Sequence, residues 1–374
     1  MAGKSDTVAE SGFMTQKHFP ARIERARSQF DRWGIDAFLF FDLKNIRYMT
    51  GFSGSDGVLL IGPDDRICLL VDGRYVTQAK DETRGLELIH MADKVAAITS
   101  LLADQKVNVV GFEESVLSFR LHRLLKAKNR RVKFKALFSE IDLLRAHKSD
   151  QEIACIRKAS DIAASALQSV LPVIRPGICE RDIALELEYR MRKGGAEGVA
   201  FDTIVASGAH AALPHASPGA KKLVPGDTLV IDYGAVYDGY HSDETCTFFI
   251  ERVESDLKAV YGLVKEAHDR AIEAAIVGRP CEEVDRVARD LISKGGWGDY
   301  FGHGTGHGVG LEIHEAPRIS IKSPQHLEKG MVVTIEPGIY LPDKWGIRIE
   351  DTIRVTSGKA EILTKMPKEL TVLG

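Results

Sequence analysis

Four carboxylates and one histidine in the second half of the chain have the residue types and settings of metal ligands. They are Asp232, Asp243, His307, Glu336 and Glu350. The carboxylates form two pairs, one in VIDYGAVYDGYHSDET and one in TIEPGIYLPDKWGIRIEDT, and each pair opens and closes a predicted β-hairpin. Two such hairpins would direct four carboxylates to one place. Hard divalent ions such as Mn²⁺ or Co²⁺ accept carboxylates together with one imidazole, and two neighbouring ions can share a hydroxide nucleophile.

Taken singly, three of these carboxylates have simpler interpretations. Asp232 could be a turn residue at the end of a strand, Asp243 part of a solvated strand face, and Glu350 part of a surface ion-pair cluster. Glu336 is harder to explain in this way, because it follows the apolar run VVTI, where an unpaired carboxylate would cost several kcal/mol. The joint occurrence of the four favours a metal site.

The two carboxylate pairs belong to an internal repeat. LVPGDTLVIDYG (223–234) and LEKGMVVTIEPG (327–338) align without a gap, and this alignment places Asp232 on Glu336. The repeat predicts that both halves supply ligands from the same position of the same hairpin.

A second matched pair of segments lies upstream of each hairpin. Segments 175–195 and 278–296 share an Arg-Pro turn, a helical stretch and a closing Lys-Gly-Gly. Apolar residues recur at helical spacing in both, and glycine follows as a C-terminal stop. These residues are Ile183, Leu187 and Met191 in the first copy and Val284, Val287 and Leu291 in the second. Each half is therefore predicted to be a helix followed by a carboxylate hairpin. A pseudo-twofold would place the helices outside and the carboxylates inside.

Three histidines occur in the glycine-rich segment GHGTGHGVGLEIHE, at His303, His307 and His314. The glycines allow close approach of neighbouring backbone and leave few side chains to fill a cavity. The segment is therefore predicted to line a cavity, although a single histidine could equally be a core or surface residue.

Several other chemistries are excluded by inspection. Segment 302–310 fits neither G-x-G-x-x-G nor a phosphate loop, which argues against a nucleotide site. His314 and Glu315 begin like the helical zinc-protease motif, but a proline follows at Pro317 and no second histidine is in place. No G-x-S-x-G sequence is present, so a serine hydrolase would lack its nucleophile.

The composition is that of a globular enzyme. The 374 residues suffice for about two domains, and a net charge of −3 with interspersed acidic and basic residues gives no nucleic-acid footprint. The amino terminus MAGKSDTVAESGFMTQ lacks an apolar run for a signal peptide or membrane span. Five widely spaced cysteines without C-x-x-C indicate a reducing, cytoplasmic location.

The first part of the chain is predicted to be an α/β domain. A helix is expected over 21–33, with one apolar face and Gly34 as its stop. Four apolar runs predict strands of a largely buried sheet, at 37–41, 57–61, 67–72 and 108–113.

A domain boundary is predicted near Lys148. Ser149 and Glu152 have the spacing of a capping box, which would open a long helix with an apolar face ending before Pro172. The predicted organisation is a polar tail (1–17), an amino-terminal domain (18–147) and a catalytic domain (148–374).

These motifs resemble the pita-bread metallopeptidases, in particular the branch of Xaa-Pro aminopeptidase, Xaa-Pro dipeptidase (prolidase) and creatinase. The resemblance covers nearly the whole chain. It is carried by NIRYMTGFSGSDGVLLI and VDGRYVTQA at the amino-terminal side, and by GHGTGHGVGLEIHE, TIEPGIY and GIRIEDT in the catalytic part. It implies a creatinase-type α/β domain followed by an α+β pita-bread catalytic domain with an internal pseudo-twofold repeat.

The resemblance also implies a ligand arrangement for two divalent ions, with Mn²⁺ as first choice and Co²⁺ or Zn²⁺ as alternatives. Asp232 would chelate one ion, His307 and Glu336 would bind the other, and Asp243 and Glu350 would bridge both. None of the five positions departs from the family pattern.

Further roles follow from the same resemblance. Glu336 would carry a proton to the leaving nitrogen, and His314 would stabilise the oxyanion. His215, in ALPHASPG, and His303 would shape the substrate pocket. Arg348 is expected to orient a bridging carboxylate because of its position, two residues before Glu350 on the same predicted strand face. The implied substrates are proline-containing peptides or dipeptides, cleaved after the residue that precedes proline. The implied assembly is a homodimer in which one amino-terminal domain borders the partner's active site.

Three alternatives stay open. DGRYVTQA favours an aminopeptidase slightly over a dipeptidase, without deciding between them. A creatinase-like, metal-free C–N hydrolase and a catalytically silent binding module share the fold, but such relatives lack ligands that are present here.

Overall fold

The computed structural model describes residues 19–374, which divide into two units between Leu144 and Arg145. The polar tail predicted for residues 1–17 lies outside this range. Within residues 19–374, no helix combines the length and apolar character that crossing a bilayer requires.

The described part of the first unit consists of helices around a six-stranded sheet. The helices are α1 (Phe19–Arg27), α2 (Phe30–Trp33), α3 (Leu43–Thr50), α4 (Val76–Glu82), α5 (Lys94–Asp104), α6 (Phe119–Lys128) and α7 (Ser139–Asp142). The strands are β1 (Ala37–Phe40), β2 (Val58–Ile61), β3 (Ile67–Val71), β4 (Glu87–His90), β5 (Val109–Glu113) and β6 (Lys133–Leu137). The sheet order is β4-β3-β2-β1-β5-β6, with β2 antiparallel to both of its neighbours. The predicted α/β domain with a buried sheet is confirmed.

Two details of this unit correct the sequence prediction. The helix expected over 21–33 is two helices, because the Ser28 hydroxyl bonds the Arg25 carbonyl and the chain turns at 28–29. The apolar face itself is buried on both helices, and Gly34 ends the second in a left-handed conformation. Strands β4 and β6 were not predicted. Both are edge strands with half-exposed residues, so neither has a continuous apolar run.

The second unit contains four long helices and many short strands. The helices are α8 (Asp150–Val170), α9 (Glu180–Lys193), α10 (Ser255–Ala274) and α11 (Cys281–Lys294), and 3-10 turns occur at Leu171–Val173, Gly208–Ala212 and Gly298–Tyr300. A further 3-10 turn, Leu143–Arg145, includes the division between the units. The strands of its first half are β7 (Gly198–Val199), β8 (Ile204–Ser207), β9 (Thr228–Tyr233), β10 (Ala235–Tyr237), β11 (Tyr240–His241) and β12 (Glu244–Ile250). Those of its second half are β13 (Gly306–Gly308), β14 (Glu315–Ile319), β15 (Val332–Ile335), β16 (Gly338–Leu341), β17 (Trp345–Arg348), β18 (Asp351–Arg354), β19 (Glu361–Ile362) and β20 (Thr371–Leu373).

The predicted repeat is visible in the strand pairing. β9 pairs with β12, and β10 with β11 forms the tip of that hairpin; β15 pairs with β18, and β16 with β17 forms the equivalent tip. One apolar core packs α8 and α9 against β8, β9 and β12, and a second packs α10 and α11 against β15 to β18. Each half thus keeps its helices on the outer side of its hairpin.

The helix predictions for α8 and α9 are confirmed, whereas the buried face of α11 differs from the predicted one. The Ser149 side chain caps α8 and Glu152 completes the capping box. In α9 the predicted apolar residues are fully buried. In α11 Val284 is buried but Val287 and Leu291 are only half-buried, because the inner face is completed by Cys281, Asp285, Ala288 and Ile292.

Candidate functional site

The two hairpins bring their carboxylates to one place because their inner strands meet. Asp232 lies in β9 opposite Thr245 of β12, and Asp351, which follows Glu350, lies opposite Ile335 of β15. Glu336 directly follows β15, and Asp243 directly precedes β12. All four carboxylates therefore lie at the corresponding ends of the two strand pairs.

Three threonines connect two stretches of chain by hydrogen bonds: residues 243–247, at the start of β12, and residues 348–352, which lead from β17 into β18. Thr245 donates its hydroxyl to the Glu350 carboxylate at 2.7 Å, and its carbonyl accepts the Glu350 N–H at 3.2 Å. Thr352 donates to the Asp243 carbonyl at 2.8 Å, and Thr247 donates to the carbonyl of Arg348 at 2.8 Å. These contacts determine how the two hairpins align where Asp243 and Glu350 project.

His307, in β13, points its Nε2 atom at the carboxylates. This atom lies 3.6 Å from Oδ2 of Asp243 and 3.4 Å from Oε1 of Glu336. The other ring nitrogen, Nδ1, lies 3.0 Å from the Gly308 carbonyl, a contact that requires it to carry the proton. Nε2 is then unprotonated on a neutral ring and free to coordinate a metal ion. Burial favours this state, since it lowers the pKa of His307.

Ligand atoms of Asp243, His307 and Glu350 all lie within 4.8 Å of one another, which is close enough to share an ion. They form part of the wall of a cavity of about 520 Å³. This cavity is lined by every residue predicted for the site, namely His215, Asp232, Asp243, His303, His307, His314, Glu336, Arg348 and Glu350.

The electrostatics of this cluster fit a divalent cation. Burial raises the pKa of Asp243, Glu350 and Glu336, and neighbouring carboxylates raise all three further. The Oδ1 atom of Asp232 is buried and has no hydrogen-bond partner in the described part of the chain. Crowded carboxylates with an unsatisfied oxygen are stabilised by a bound cation, and oxygen donors with one imidazole suit a hard divalent ion.

Arg348 binds a different carboxylate from the one predicted. It was expected to orient a bridging carboxylate, but its guanidinium donates to Asp232 at 2.6 Å, and Glu350 is held by Thr245 instead. The strand is interrupted at residues 349–350, between β17 and β18, so Arg348 and Glu350 do not belong to one continuous strand face, and Arg348 contacts Asp232 of β9 instead. The guanidinium also donates to the hydroxyls of Thr245 and Tyr340 and to the carbonyl of Pro214.

The other predicted histidines differ in whether their ring nitrogens already make hydrogen bonds. His303 has both ring nitrogens in use, against the Gly304 carbonyl at 2.8 Å and the Tyr340 hydroxyl at 2.9 Å. His215 and His314 are exposed and have no hydrogen-bond partner among residues 19–374. The ring of His314 packs edge to face on His307, with centroids 4.4 Å apart. The ring nitrogens of His314 and His215 are therefore available for further hydrogen bonds, whereas those of His303 are already used within the cavity wall.

Two residues of the site were missed by sequence reasoning. Tyr340 ties Arg348 to His303 at the cavity wall, and its place in the TIEPGIY motif was the available signal. Arg318 lines the cavity, is exposed, and has no ion-pair partner among the described residues. Its pairing opposite His307 across β13 and β14 could not be read from the sequence.

The glycine-rich segment is held by a carboxylate from the repeat helix. Asp285 of α11 accepts hydrogen bonds from both the backbone N–H and the hydroxyl of Thr305. Arg289, one turn further, donates to the His303 carbonyl at 2.7 Å. A Cβ atom on Gly306 would lie 1.9 Å from the Thr334 carbonyl oxygen, which explains why this strand needs glycine.

Comparison with known proteins gives two matches to family models. Residues 22–147 match the Creatinase/Prolidase N-terminal domain, and residues 154–357 match Metallopeptidase family M24. The predicted fold class, a creatinase-type domain followed by a pita-bread domain, is confirmed.

Individual relatives match along nearly the whole chain. The Xaa-Pro dipeptidase of Pyrococcus furiosus is 40% identical over 349 residues, covering 93% of this chain and 99% of that protein. The solved structure of an Xaa-Pro dipeptidase from Bacillus anthracis has a TM-score of 0.91 at 40% identity and covers 95% of this chain and 100% of its own. An X-Pro aminopeptidase from Thermotoga maritima has a TM-score of 0.85 at 39% identity, with coverage of 94% and 99%.

Proposed function

The chain belongs to metallopeptidase family M24, and we propose that it hydrolyses the Xaa-Pro bond at the amino terminus of peptides. The observation that carries the proposal is the convergence of His307 and the carboxylates in one cavity with two uncommitted histidines, His215 and His314. The named activities of its relatives support the substrate class.

The site residues suit two divalent ions, and we assign Mn²⁺ as the physiological choice. Asp232, Asp243, His307, Glu336 and Glu350 would hold them. Once bound, such ions supply electrophilic assistance at the scissile carbonyl and a water of lowered pKa.

The chain's own residues supply the proton transfers and the oxyanion contact. Glu336, whose pKa is raised by burial, can take a proton from the attacking water and pass it to the proline nitrogen. Although His314 is exposed as a residue, partial desolvation of its ring and the neighbouring His307 lower its pKa, so the ring is neutral and offers one N–H donor to the carbonyl oxygen as negative charge develops. Tyr340 and His303 keep Arg348 in place, and Arg348 keeps Asp232 in place.

The position of Arg318 favours dipeptides over longer peptides as substrates. Its unpaired guanidinium faces the same cavity as His307 and His314, and a carboxylate is the anionic group that an Xaa-Pro dipeptide presents. A longer peptide has an amide at that point and would leave the guanidinium without a counter-charge. We therefore assign Xaa-Pro dipeptides as preferred substrates, although the sequence motif DGRYVTQA leans towards an aminopeptidase.

A substrate length series tests both levels of the proposal. Wild-type protein with Mn²⁺ should hydrolyse Xaa-Pro and should be at least about tenfold slower on Xaa-Pro-amide and Xaa-Pro-Yaa, since a charged hydrogen bond contributes about 1.5 to 3 kcal/mol. Arg318→Met should remove this difference by slowing only the dipeptide. Arg270→Met, at an exposed arginine of α10 that does not line the cavity, is the matched control.

Other outcomes would contradict specific parts. If the protein hydrolysed substrates of all lengths at equal rates, and Arg318→Met left these rates unchanged, the dipeptidase assignment would be wrong. The broader proposal of an Xaa-Pro peptidase would stand. Turnover that survives complete removal of metal by a chelator would favour the metal-free C–N hydrolase. Absence of both hydrolysis and Mn²⁺ binding would favour a silent binding module.

We further infer a cytosolic homodimer. All five cysteines are free thiols, which is typical of a reducing compartment, and closed twofold association is the commonest form of symmetric oligomers. Sedimentation at micromolar concentration should give twice the chain mass of 41.2 kDa. A fully active monomer would contradict the dimer.

A further inference from the structure

A buried charge cluster lies behind the two strands that carry Asp243 and Glu350. Glu244 and Asp351 are 1% and 4% exposed, and the ammonium group of Lys368 lies between them. Its Nζ atom is hydrogen-bonded to Glu244 Oε1 and lies 3.3 Å from Asp351 Oδ1. Lys368 itself is 7% exposed. Two carboxylates and an ammonium group at this depth are stabilised chiefly by one another.

The position of this cluster in the chain connects it to the metal site. Glu244 directly follows Asp243, and Asp351 directly follows Glu350. Successive side chains of a strand point to opposite faces, so the site carboxylates face the cavity while Glu244 and Asp351 face the core. Lys368 therefore joins, from behind, the two strand ends whose front faces carry the proposed bridging ligands.

Lys368 comes from a third part of the chain, outside the repeat. It lies between β19 and β20, and its carbonyl accepts a hydrogen bond from Tyr261 of α10 at 3.0 Å. Two residues earlier, the backbone N–H of Met366 donates to Glu244 at 2.8 Å. The carboxyl-terminal segment is thus fastened to both halves of the repeat at one point.

The remaining polar neighbours do not duplicate this link. Tyr233 donates to Glu244 at 2.8 Å, and Thr364 donates to Asp351. His268 Nε2 lies 3.2 Å from Asp351 Oδ2. Each of these groups contacts one of the two carboxylates. Among the described residues, Lys368 is the charged group that contacts both.

We propose that Lys368 is a positioning residue of the metal centre, holding Glu244 and Asp351 together so that Asp243 and Glu350 stay at the separation that two ions require. The inference rests on the proposed metal-dependent function. Lys368 touches neither substrate nor ligand atoms, so its effect must appear first in metal affinity. Loss of an outer partner of a metal ligand typically weakens metal binding by roughly 10 to 100-fold.

Calorimetric titration of metal-free protein with Mn²⁺ alone tests this. Lys368→Met should bind Mn²⁺ roughly 10 to 100-fold more weakly than wild type at a temperature where both are folded. Lys368→Arg, which keeps the charge and can still reach two carboxylates, should recover most of the affinity. Leu167→Ala is the matched control, since it removes buried volume from α8 but none of the hydrogen bonds or ion pairs of the cluster. It should lower the unfolding temperature and leave Mn²⁺ affinity unchanged.

If Lys368→Met does not fold, a second variant can be used to test the same inference. The double variant Glu244→Gln with Lys368→Met removes one charge of each sign but also removes the link, so its Mn²⁺ affinity should stay weak. Wild-type affinity in either Met-containing variant would overturn the inference, as would a parallel loss of affinity in Leu167→Ala. Failure of the wild type itself to bind Mn²⁺ would instead overturn the proposed function on which the inference depends.

Discussion

Glu336 has the surroundings of a group that must both bind a cation and exchange a proton. Its carboxylate lies 3.4 Å from His307, accepts a hydrogen bond from Thr334 at 3.2 Å, and has its pKa raised by burial. We expect Glu336→Gln to lower kcat by about 10²-fold or more, because the amide cannot accept the proton. Steady-state kinetics at saturating Mn²⁺, with circular dichroism as the folding control, measure this. A variant that keeps a tenth of the wild-type kcat would contradict the assignment.

His307 and His314 lie seven residues apart in one segment, but replacing each with alanine should affect different properties of the protein. His307 points its free Nε2 at the carboxylates, so His307→Ala should lose metal and, as a consequence, activity. His314 has no such contact, so His314→Ala should keep its metal and lose roughly 10² to 10³ in kcat, as expected for an oxyanion donor.

Elemental analysis of both histidine variants beside their kinetics makes the comparison. His326→Ala, at a histidine outside the cavity, serves as the control. Equal metal loss in His307→Ala and His314→Ala would mean that His314 is also a ligand or that the segment has rearranged.

Among the elements, β17 packs closest against the segment that carries His215. A Cβ atom on Gly346 would lie 1.8 Å from the carbonyl oxygen of Ala211, in the 3-10 turn that leads to that histidine. Gly346→Ala should therefore destabilise the protein by about 1 to 3 kcal/mol and raise KM, because the turn must move away from the cavity. Urea unfolding measures the change in stability, and peptide hydrolysis kinetics measure the change in KM.

Gly262 provides the matched glycine for this experiment. It is exposed within α10, and a Cβ atom there would have no neighbour from residues 19–374 within 4 Å. Gly262→Ala should stabilise the protein by about 0.5 to 1 kcal/mol and leave KM unchanged. A Gly346→Ala protein as stable as wild type would show that β17 and the turn are not in fixed contact.

At the scale of the whole molecule, the two units should differ in how stability depends on pH. Glu113, in the first unit, is 3% exposed, and burial raises its pKa to about 7 although Asn45 and two backbone N–H groups donate to it. The folded unit therefore keeps a proton that the unfolded chain releases near pH 4.5. Stability must fall as pH rises from about 4.5 to 7, by on the order of 3 kcal/mol.

The tryptophans allow this unit to be followed separately. Trp33 lies in the first unit, and Trp297 and Trp345 lie in the second. In a background with the latter two changed to Phe, urea unfolding followed by Trp33 fluorescence should show the decline in stability between pH 5 and pH 7.5. Glu113→Gln should flatten it, whatever its effect on stability at a single pH. An unchanged slope in that variant would assign the pH dependence to other groups.

The convergence of the site residues could be predicted from the sequence because it rests on local and repeated patterns. Asp232 and Glu336 each follow a strand-forming apolar run at the same offset, and the repeat implies that two equal hairpins meet. The capping box at Ser149 and the left-handed glycine stop at Gly34 are likewise local, since each depends on residues within one turn of the helix end.

Tertiary structure decided which groups pair across the sheets and which remain free. Arg348 bonds Asp232 rather than Glu350, Lys368 joins two strands from outside the repeat, and Arg318 stays unpaired in the cavity. Arg348 and Asp232 lie 116 residues apart in the chain, and Lys368 lies 124 residues from Glu244. No sequence periodicity encodes such pairs, nor the absence of an ion-pair partner for Arg318 among the described residues. Edge strands such as β4 escape prediction for a related reason. Their backbone is ordered by a neighbouring strand, while their side chains, facing water, need not be apolar.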